Sequence, residues 1–369
     1  MILKSIQLRN FRKHKNIYLD FSEGLNYIVG GNGLGKTTIL EAIFYLCTTK
    51  SFNSKDSEAV TFNQNEFEIM GNFYGITENN SRVYYSLDQN KRYYFKDEKP
   101  VTRAADIIGK FPVVLLSPLD HSITQGSPGD RRKFVDSVIS QSSETYLNNL
   151  LVYNRILKQR SSLLNQLKET KNKMLLDELH AWSSVLSQTG SYLIRQRKKF
   201  VEDFLGYINR SYEEIMNSDE KPFIEYSYLN SYKGEDIEEE FSRQIIDKRE
   251  EEIIRGLNLV GPHRDDFIFF IDEKNLKTYG SQGQHKTFQV ALRFAEFFYL
   301  KEITGTEPVF LLDDVFGELD AQRAGKISEY LTKVGQAFIT VTDLADFSFL
   351  KRNEKDKVIR LHNDEVKYA

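Results

Sequence analysis

The chain has 369 residues, and 50 Lys and Arg stand against 53 Asp and Glu for a formal net charge of −3. Its 40% hydrophobic residues, 26 Phe and 20 Tyr exclude extended disorder as the main state, and the length fits two domains or one large fold with an insertion. The balanced charge leaves any nucleic-acid surface to local clustering, while Cys47, the single cysteine, excludes a disulfide scaffold or cysteine-rich metal site and fits a reducing cytoplasm.

From the N-terminus, Ile6 and Leu8 alternate with Gln7 and Arg9, and Ile17, Leu19 and Phe21 alternate with Tyr18 and Asp20. This period of two predicts a hairpin turning near His14. Met1–Phe11 lacks the apolar core of a signal peptide, and no run of about 18 apolar residues predicts a membrane span. Leu25–Val29 reads as a strand running into a glycine cluster, and Ile39, Leu40, Ile43, Phe44 and Cys47 follow at helical spacing. Segments 66–74 and 82–95 alternate again, as in an antiparallel meander. Residues 130–255 hold one proline, Pro222, among long runs of Leu, Lys, Gln and Glu that read as helices with solvated faces. Within them 195–199 is basic and 235–252 acidic, and no heptad seam is sustained, so no extended coiled coil is expected. Val309–Leu312 is a short apolar run of the kind buried in parallel sheets, Ala337–Val341 reads as the next strand, and 357–368 as a closing hairpin. The simplest architecture is an α/β core built from residues 1–120 and 257–369, with 121–256 inserted as a helical domain.

Gly30-Gly31-Asn32-Gly33-Leu34-Gly35-Lys36-Thr37, with Thr38 next, matches the phosphate-binding pattern G-x-x-x-x-G-K-[ST] between a predicted strand and a predicted helix. Its glycines let backbone N–H groups face phosphate oxygens, and the following helix start adds favourable partial charge. Lys36 would reach the β- and γ-phosphates of ATP, and Thr37 would ligate Mg²⁺. Val309–Asp314 reads as the companion Walker B strand, with Asp313 holding Mg²⁺ through water and Asp314 polarising the attacking water. Two adjacent carboxylates ending a buried strand need a positive partner, and a metal-bound triphosphate supplies one.

Lys36 and Asp313 are 277 positions apart, farther than in most nucleoside kinases and small GTPases. Ser281-Gln282-Gly283-Gln284 precedes a predicted helix over 285–302, the arrangement of an ABC-type signature whose serine and N–H groups bind a γ-phosphate. Glu318-Leu319-Asp320 matches the D-loop that crosses an ATP-sandwich dimer.

Taken together these residues resemble the RecF family, bacterial repair ATPases related to SMC proteins. Further matches are Asn10-Phe11-Arg12, Leu40-Glu41-Ala42-Ile43, Gly126-Ser127-Pro128 with Arg131-Arg132, Tyr153-Asn154-Arg155, Lys158-Gln159-Arg160 and Gly261-Pro262-His263-Arg264-Asp265-Asp266. Departures are Leu119-Asp120-His121, where the family usually has Glu-Asp-Leu, His285 for Gln, and Gly317 for the D-loop Ser. The resemblance implies an SMC-like P-loop ATPase head of the ABC type, α/β in class, with a helical insertion. It implies a slow, DNA-stimulated ATPase that dimerises on binding ATP and binds single-stranded DNA, gaps and single-strand/duplex junctions. RecR and RecO are its implied partners in loading the recombinase, for replication restart and SOS induction. Asp314 is shorter than the Glu of most ABC ATPases, consistent with slow turnover. No switch histidine follows 337–341, which leaves Thr342 as a candidate γ-phosphate sensor.

For DNA the candidate surface is Arg131, Arg132, Lys133, Arg155, Lys158 and Arg160, in a stretch where nine Lys and Arg face five Asp and Glu over 120–173. Such contacts would give sequence-independent, salt-sensitive binding. His263 is expected to order its loop rather than bind metal, Tyr27 and Tyr45 to be core, and Arg12 to lie either on the nucleotide or at the surface. Three rival readings are a membrane-transporter nucleotide subunit, a clamp without hydrolysis and a small-molecule phosphotransferase. The Walker spacing weighs against the first, Asp313-Asp314 against the second, and the signature and D-loop against the third.

Overall fold

The computed structural model describes residues 1–75, 78–170, 172–216, 220–318, 321–343, 353–362 and 365–368. In chain order its first half holds β1 (Ile2–Phe11), β2 (His14–Asp20), β3 (Leu25–Val29), α1 (Lys36–Thr48), β4 (Glu66–Tyr74), β5 (Glu78–Ser86), β6 (Lys91–Lys96), β7 (Lys99–Val101), β8 (Val113–Leu116), α2 (His121–Gln125), α3 (Pro128–Ser142) and α4 (Glu144–Glu169). There follow α5 (Lys173–Met216), β9 (Pro222–Ser227), α6 (Ile237–Arg255), β10 (Asp266–Ile271), β11 (Lys274–Asn275), α7 (Leu276–Tyr279), α8 (Gln282–Thr304), β12 (Val309–Leu312), α9 (Ala321–Leu331), β13 (Ala337–Val341), β14 (Lys357–His362) and β15 (Glu365–Tyr368). The chain divides into two compact units: Met1–Asp120 with Arg210–Asp219 and Gln289–Ala369, and His121–Asn209 with Glu220–Phe288.

The first unit contains two six-stranded sheets. One runs β2-β1-β4-β5-β6-β7, antiparallel throughout, and the other β15-β14-β3-β13-β12-β8, parallel except at the β14–β15 hairpin. Every residue of β3, β8, β12 and β13 is buried, as unbroken apolar runs covered on both faces should be. In the antiparallel sheet only alternate residues face inward: Phe67, Ile69 and Phe73 are wholly buried on β4. One core joins these to Ile39, Leu40, Ile43 and Leu46 of α1 and to Ile28, Leu311 and Phe338 of the parallel sheet. Gly71 permits the close approach of α1, because a Cβ there would lie 2.5 Å from Leu46 Cδ1. Gln336, just before β13, donates from Nε2 to the Leu3 and Ser22 carbonyls and accepts the Leu3 N–H at Oε1, each at 2.7 Å. Its buried amide therefore joins strands from opposite ends of the chain, and its donors and acceptor are paired as burial requires.

In the second unit α5 buries Leu179, Leu186, Leu193 and Phe200 at a spacing of seven, interleaved with Gly190, Arg197 and Phe204 at the same spacing. The polar and glycine members of the second series hid this period from the sequence reading. Two buried arginines hold neighbouring segments together. Arg160 of α4, 0% exposed, donates to Ser183, Asn258 and Glu252, the last at 2.8 Å. Arg197 donates to both oxygens of Asp136 at 3.0 Å, to the Pro262 carbonyl at 2.7 Å and to the Tyr146 hydroxyl.

Two expectations are corrected here. The stretch 130–255 is not all helix, because Pro222–Ser227 forms β9, paired antiparallel with β10. Proline is tolerated at a strand's first residue, and the partner lies some 40 positions downstream, beyond the reach of local periodicity. For the same reason the inserted unit does not end at 256. The β9–β10 pairing carries 257–288 with it, and the boundary falls after Phe288, inside α8.

Candidate nucleotide site

The phosphate-binding loop leaves the carboxyl end of β3, flanked in its sheet by β13 and β14, and turns into α1. Ligands of parallel α/β sheets bind at such strand ends. Gly30 N–H donates to the Val341 carbonyl at 3.3 Å, fixing the loop to β13. Gly35 caps α1 at φ 87°, a left-handed conformation that only glycine adopts without strain, and brings no side-chain cap. No acidic residue occupies the first turn, so its N–H groups remain open to an anion. Asn32 and Gly33 are exposed, whereas Gly30, Leu34, Lys36, Thr37 and Thr38 are partly buried.

Lys36 Nζ donates to the Gly30 carbonyl at 2.5 Å and the Gly31 carbonyl at 3.1 Å. Burial lowers its pKa, and the charges of Asp314 and Asp313 oppose that shift. Thr37 Oγ1 donates to Asp313 Oδ1 at 2.9 Å, which closes the loop onto the end of β12. Burial raises the pKa of Asp313, against the hydroxyls of Thr37 and Thr340. Asp314 is exposed, with φ 49°, an uncommon conformation for a residue with a side chain. The Thr37 hydroxyl and Asp313 carboxylate form a hard-oxygen pair suited to Mg²⁺. Among the described residues no cluster of three or more His, Cys, Asp or Glu could hold a metal by itself, so such an ion would need oxygens from phosphate or water.

One residue that the sequence reading passed over organises this centre. Thr340 Oγ1 donates to Asp313 Oδ1 and accepts the Asp314 N–H, both at 2.9 Å. A single hydroxyl in the otherwise apolar run Ala-Phe-Ile-Thr-Val was the available signal. Thr342, the expected sensor, lies half-buried at the bend after β13. Arg12 is taken by protein: its Nε and Nη2 donate to the two oxygens of buried Glu41 on α1, at 3.1 and 3.0 Å. Tyr27 and Tyr45 are core residues.

In the second unit Ser281 is exposed and caps α8 reciprocally. It accepts the Gln284 N–H at 3.2 Å, and Gln284 Oε1 accepts the Ser281 N–H at 2.9 Å. Such a capping box orders the first turn. Gln282 is exposed and Gly283 partly buried. Glu318 closes a short helical turn at Phe316–Glu318, while Leu319 and Asp320 of the D-loop lie outside the described residues. His263 lies partly buried between the Tyr153 hydroxyl (2.8 Å) and the Asn258 carbonyl (3.2 Å), and burial pushes its pKa down to about 4.

The six candidate DNA contacts separate into two groups. Arg160 is wholly buried and Arg131, 6% exposed, forms a two-pronged pair with Asp266 at 2.7 and 2.9 Å. Neither can face a phosphate backbone, because removing a buried arginine from its carboxylate would strand both charges. Arg132 donates to the Asp265 carbonyl and is half-buried. Lys133, Arg155 and Lys158 are exposed, Lys133 lying 3.6 Å from Asp130. Sequence spacing placed all six on helices but could not separate inward from outward faces.

The P-loop at the end of a parallel strand, the antiparallel companion sheet and the aspartate pair just after β12 define an ATPase head of the ABC type. The family model for the RecF/RecN/SMC N terminal domain matches residues 2–366. Curated relatives include the DNA replication and repair protein RecF of Chloroherpeton thalassium, 42% identical over 363 residues that cover 96% of this chain and 98% of that protein. The protein of the same name from Lachnoclostridium phytofermentans is 36% identical, covering 98% of each. A solved structure of the recombination mediator protein RecF-ATP in the RecFOR pathway superposes with a TM-score of 0.89 at 32% identity, over 100% of this chain and 97% of the other. An Smc head domain from Pyrococcus furiosus, at 16% identity and a TM-score of 0.58 over 100% and 95%, shares the fold. The chain belongs to the RecF family of DNA replication and repair proteins. Among the described residues no helix is long and apolar enough to cross a membrane.

Proposed function

We propose that this chain is an ATP-operated DNA-binding clamp of recombinational repair, with slow, DNA-stimulated hydrolysis serving as a switch. The observation that carries the reading is the Thr37–Asp313 hydrogen bond, which joins a complete phosphate-binding loop to an aspartate pair across 276 positions of chain. The RecF-ATP relative adds ATP as the nucleotide. Lys36 would exchange its loop carbonyls for β- and γ-phosphate oxygens, and Thr37 and Asp313 would hold Mg²⁺, which would offset the charge of the triphosphate. Asp314 orients the attacking water, and Thr342 reads the γ-phosphate. The exposed Ser281 cap, with Gln282, Gly283 and Gln284, closes the γ-phosphate face of a second copy, and Glu318 and Asp320 cross the same two-fold interface. Loss of the γ-phosphate removes those contacts and opens the dimer, a population shift driven by differential affinity.

Lys133, Arg155 and Lys158 remain available to DNA phosphates, with Arg132 at their margin, for single strands, gaps and junctions in the cytoplasm. RecR and RecO are the partners with which the clamp would load the recombinase, in replication restart and SOS induction. The RecFOR pathway of the solved relative supports that assignment.

Light scattering with and without ATP–Mg²⁺ tests the clamp. Asp314→Asn is expected to double in mass with ATP and to hydrolyse nothing, and Lys36→Met to stay monomeric. A mass that ignores ATP in Asp314→Asn would remove the clamp while leaving the nucleotide site.

A further inference from the structure

The β1–β2 turn touches the phosphate-binding loop with two side chains that nothing in the proposed reaction uses. Lys13 Nζ donates to the Gly33 carbonyl at 2.7 Å, and His14 Nε2 lies 3.2 Å from the Gly35 carbonyl. His14 is 5% exposed and packs so tightly on the loop that a Cβ on Gly35 would lie 2.5 Å from its Nε2. Gly33 and Gly35 both have positive φ, 76° and 87°. The Gly35 carbonyl also accepts the Ile39 N–H of α1 at 3.3 Å, so the helix already sets that peptide, and Gly33 is the one the local chain leaves more free.

The peptide group is planar and trans, so its N–H points opposite to its C=O. A carbonyl drawn toward the β1–β2 turn therefore aims the next N–H away from it. Holding the Gly33 carbonyl points Leu34 N–H away from Lys13, where it meets Gly31 O at a long 3.4 Å. Lys36 itself occupies two further loop carbonyls, Gly30 and Gly31. We propose that Lys13 is a positioning residue for the nucleotide: by fixing the Gly33 carbonyl it presets Leu34 N–H toward the phosphates, while His14 packs beneath Gly35. Pre-set donors bind more tightly because their ordering is completed before the ligand arrives. The inference rests on the loop being a nucleotide site and adds a residue from outside the motif. Because Lys13 acts through loop backbone rather than on the γ-phosphate, it serves ATP and ADP alike.

The test is titration of fluorescent N-methylanthraniloyl ATP and ADP into the full chain, its Lys13→Met and Lys13→Arg variants, and Lys36→Met as the binding-dead control. Lys13 is exposed, and melting curves are to be recorded alongside to check that its variants fold. Lys13→Met is expected to weaken both nucleotides about tenfold, the value of one hydrogen bond from a charged donor, and Lys13→Arg to restore most of it. Unchanged affinities in Lys13→Met, or weakening of ATP alone, would overturn the proposal. So would an equal loss in Lys13→Arg, which would mark packing rather than donation. Failure of the unsubstituted chain to bind either nucleotide would overturn the underlying nucleotide-site reading instead.

Discussion

Lys36 in the first unit and Arg197 in the second each face two carboxylates, and their surroundings differ. Arg197 is 2% exposed, with its fork on both oxygens of Asp136, a further bond to the Pro262 carbonyl, and Asp265 at 3.5 Å. Burial works against its charge, yet Asp136 leads the groups that raise its pKa well above the ordinary value. Lys36 is only partly buried, its pKa is lowered, and its bonds go to two loop carbonyls. A cation closed in by carboxylates is part of the frame, since moving it would strand buried charge. A cation resting on backbone carbonyls at an open rim can be transferred to a phosphate, because the carbonyls it leaves can turn to water.

The strongest way to break this contrast is to remove a frame cation. Arg160→Ala is expected to destabilise the second unit by about 3–5 kcal/mol, read by urea denaturation with Trp182 fluorescence. Lys158→Ala should stay within about 0.5 kcal/mol of the parent. A stable Arg160→Ala that has lost DNA binding would return that arginine to the DNA surface. Next comes Thr340→Val, which leaves the buried Asp313 one donor short and frees the Asp314 N–H. A loss of about 1–3 kcal/mol in stability is expected, with at least a tenfold fall in phosphate release that Thr340→Ser recovers. Full activity in Thr340→Val would remove the threonine from the centre.

The two units should also respond oppositely to acid. Glu296 shares Arg293 with Asp120, at 2.7 Å from each carboxylate's nearest oxygen, and burial raises its pKa to about 7. The folded state therefore holds this proton more firmly, so the group's contribution is complete below its ordinary 4.5 and is lost as pH rises through about 7. His263, lowered to about 4, contributes above its ordinary 6.5 and loses that contribution as pH falls through about 4. In melting curves across pH 4–8, Glu296→Gln should flatten the decline toward neutrality and His263→Gln the decline toward acid. Unchanged profiles in both would contradict these assignments. The smallest effect belongs to Lys133→Ala: its exposed pair with Asp130 is worth roughly 0.3–0.5 kcal/mol at most, so stability should not move while DNA binding becomes less salt-dependent.

The nucleotide site was legible because its chemistry is local. Gly30–Thr37 must be contiguous to wrap a phosphate, and the apolar run before Asp313 announces its own burial. Thr340 was passed over because its role depends on β13 lying beside β12, a pairing that no spacing within Ala337–Val341 reveals. The inward pairing of Arg160 and Arg131 is hidden for a related reason. A helical arginine looks alike in sequence whether it faces water or a carboxylate 92 or 135 positions away. The α5 seam escaped because Gly190 and Arg197 occupy places where a heptad reading expects apolar residues.

The Gln336 amide, bound to Leu3 and Ser22, also bears on how the protein is made. β3 takes both of its sheet neighbours, β13 and β14, from the last part of the chain, so at about 5–20 residues per second of synthesis the ribosome needs roughly 15–60 s after releasing Lys36 to supply Asp313. During that interval the N-terminal strands and α1 lack the sheet that completes their core. The head can close only when translation is nearly finished, and until then its glycine loop has no aspartate partner with which to hold a nucleotide.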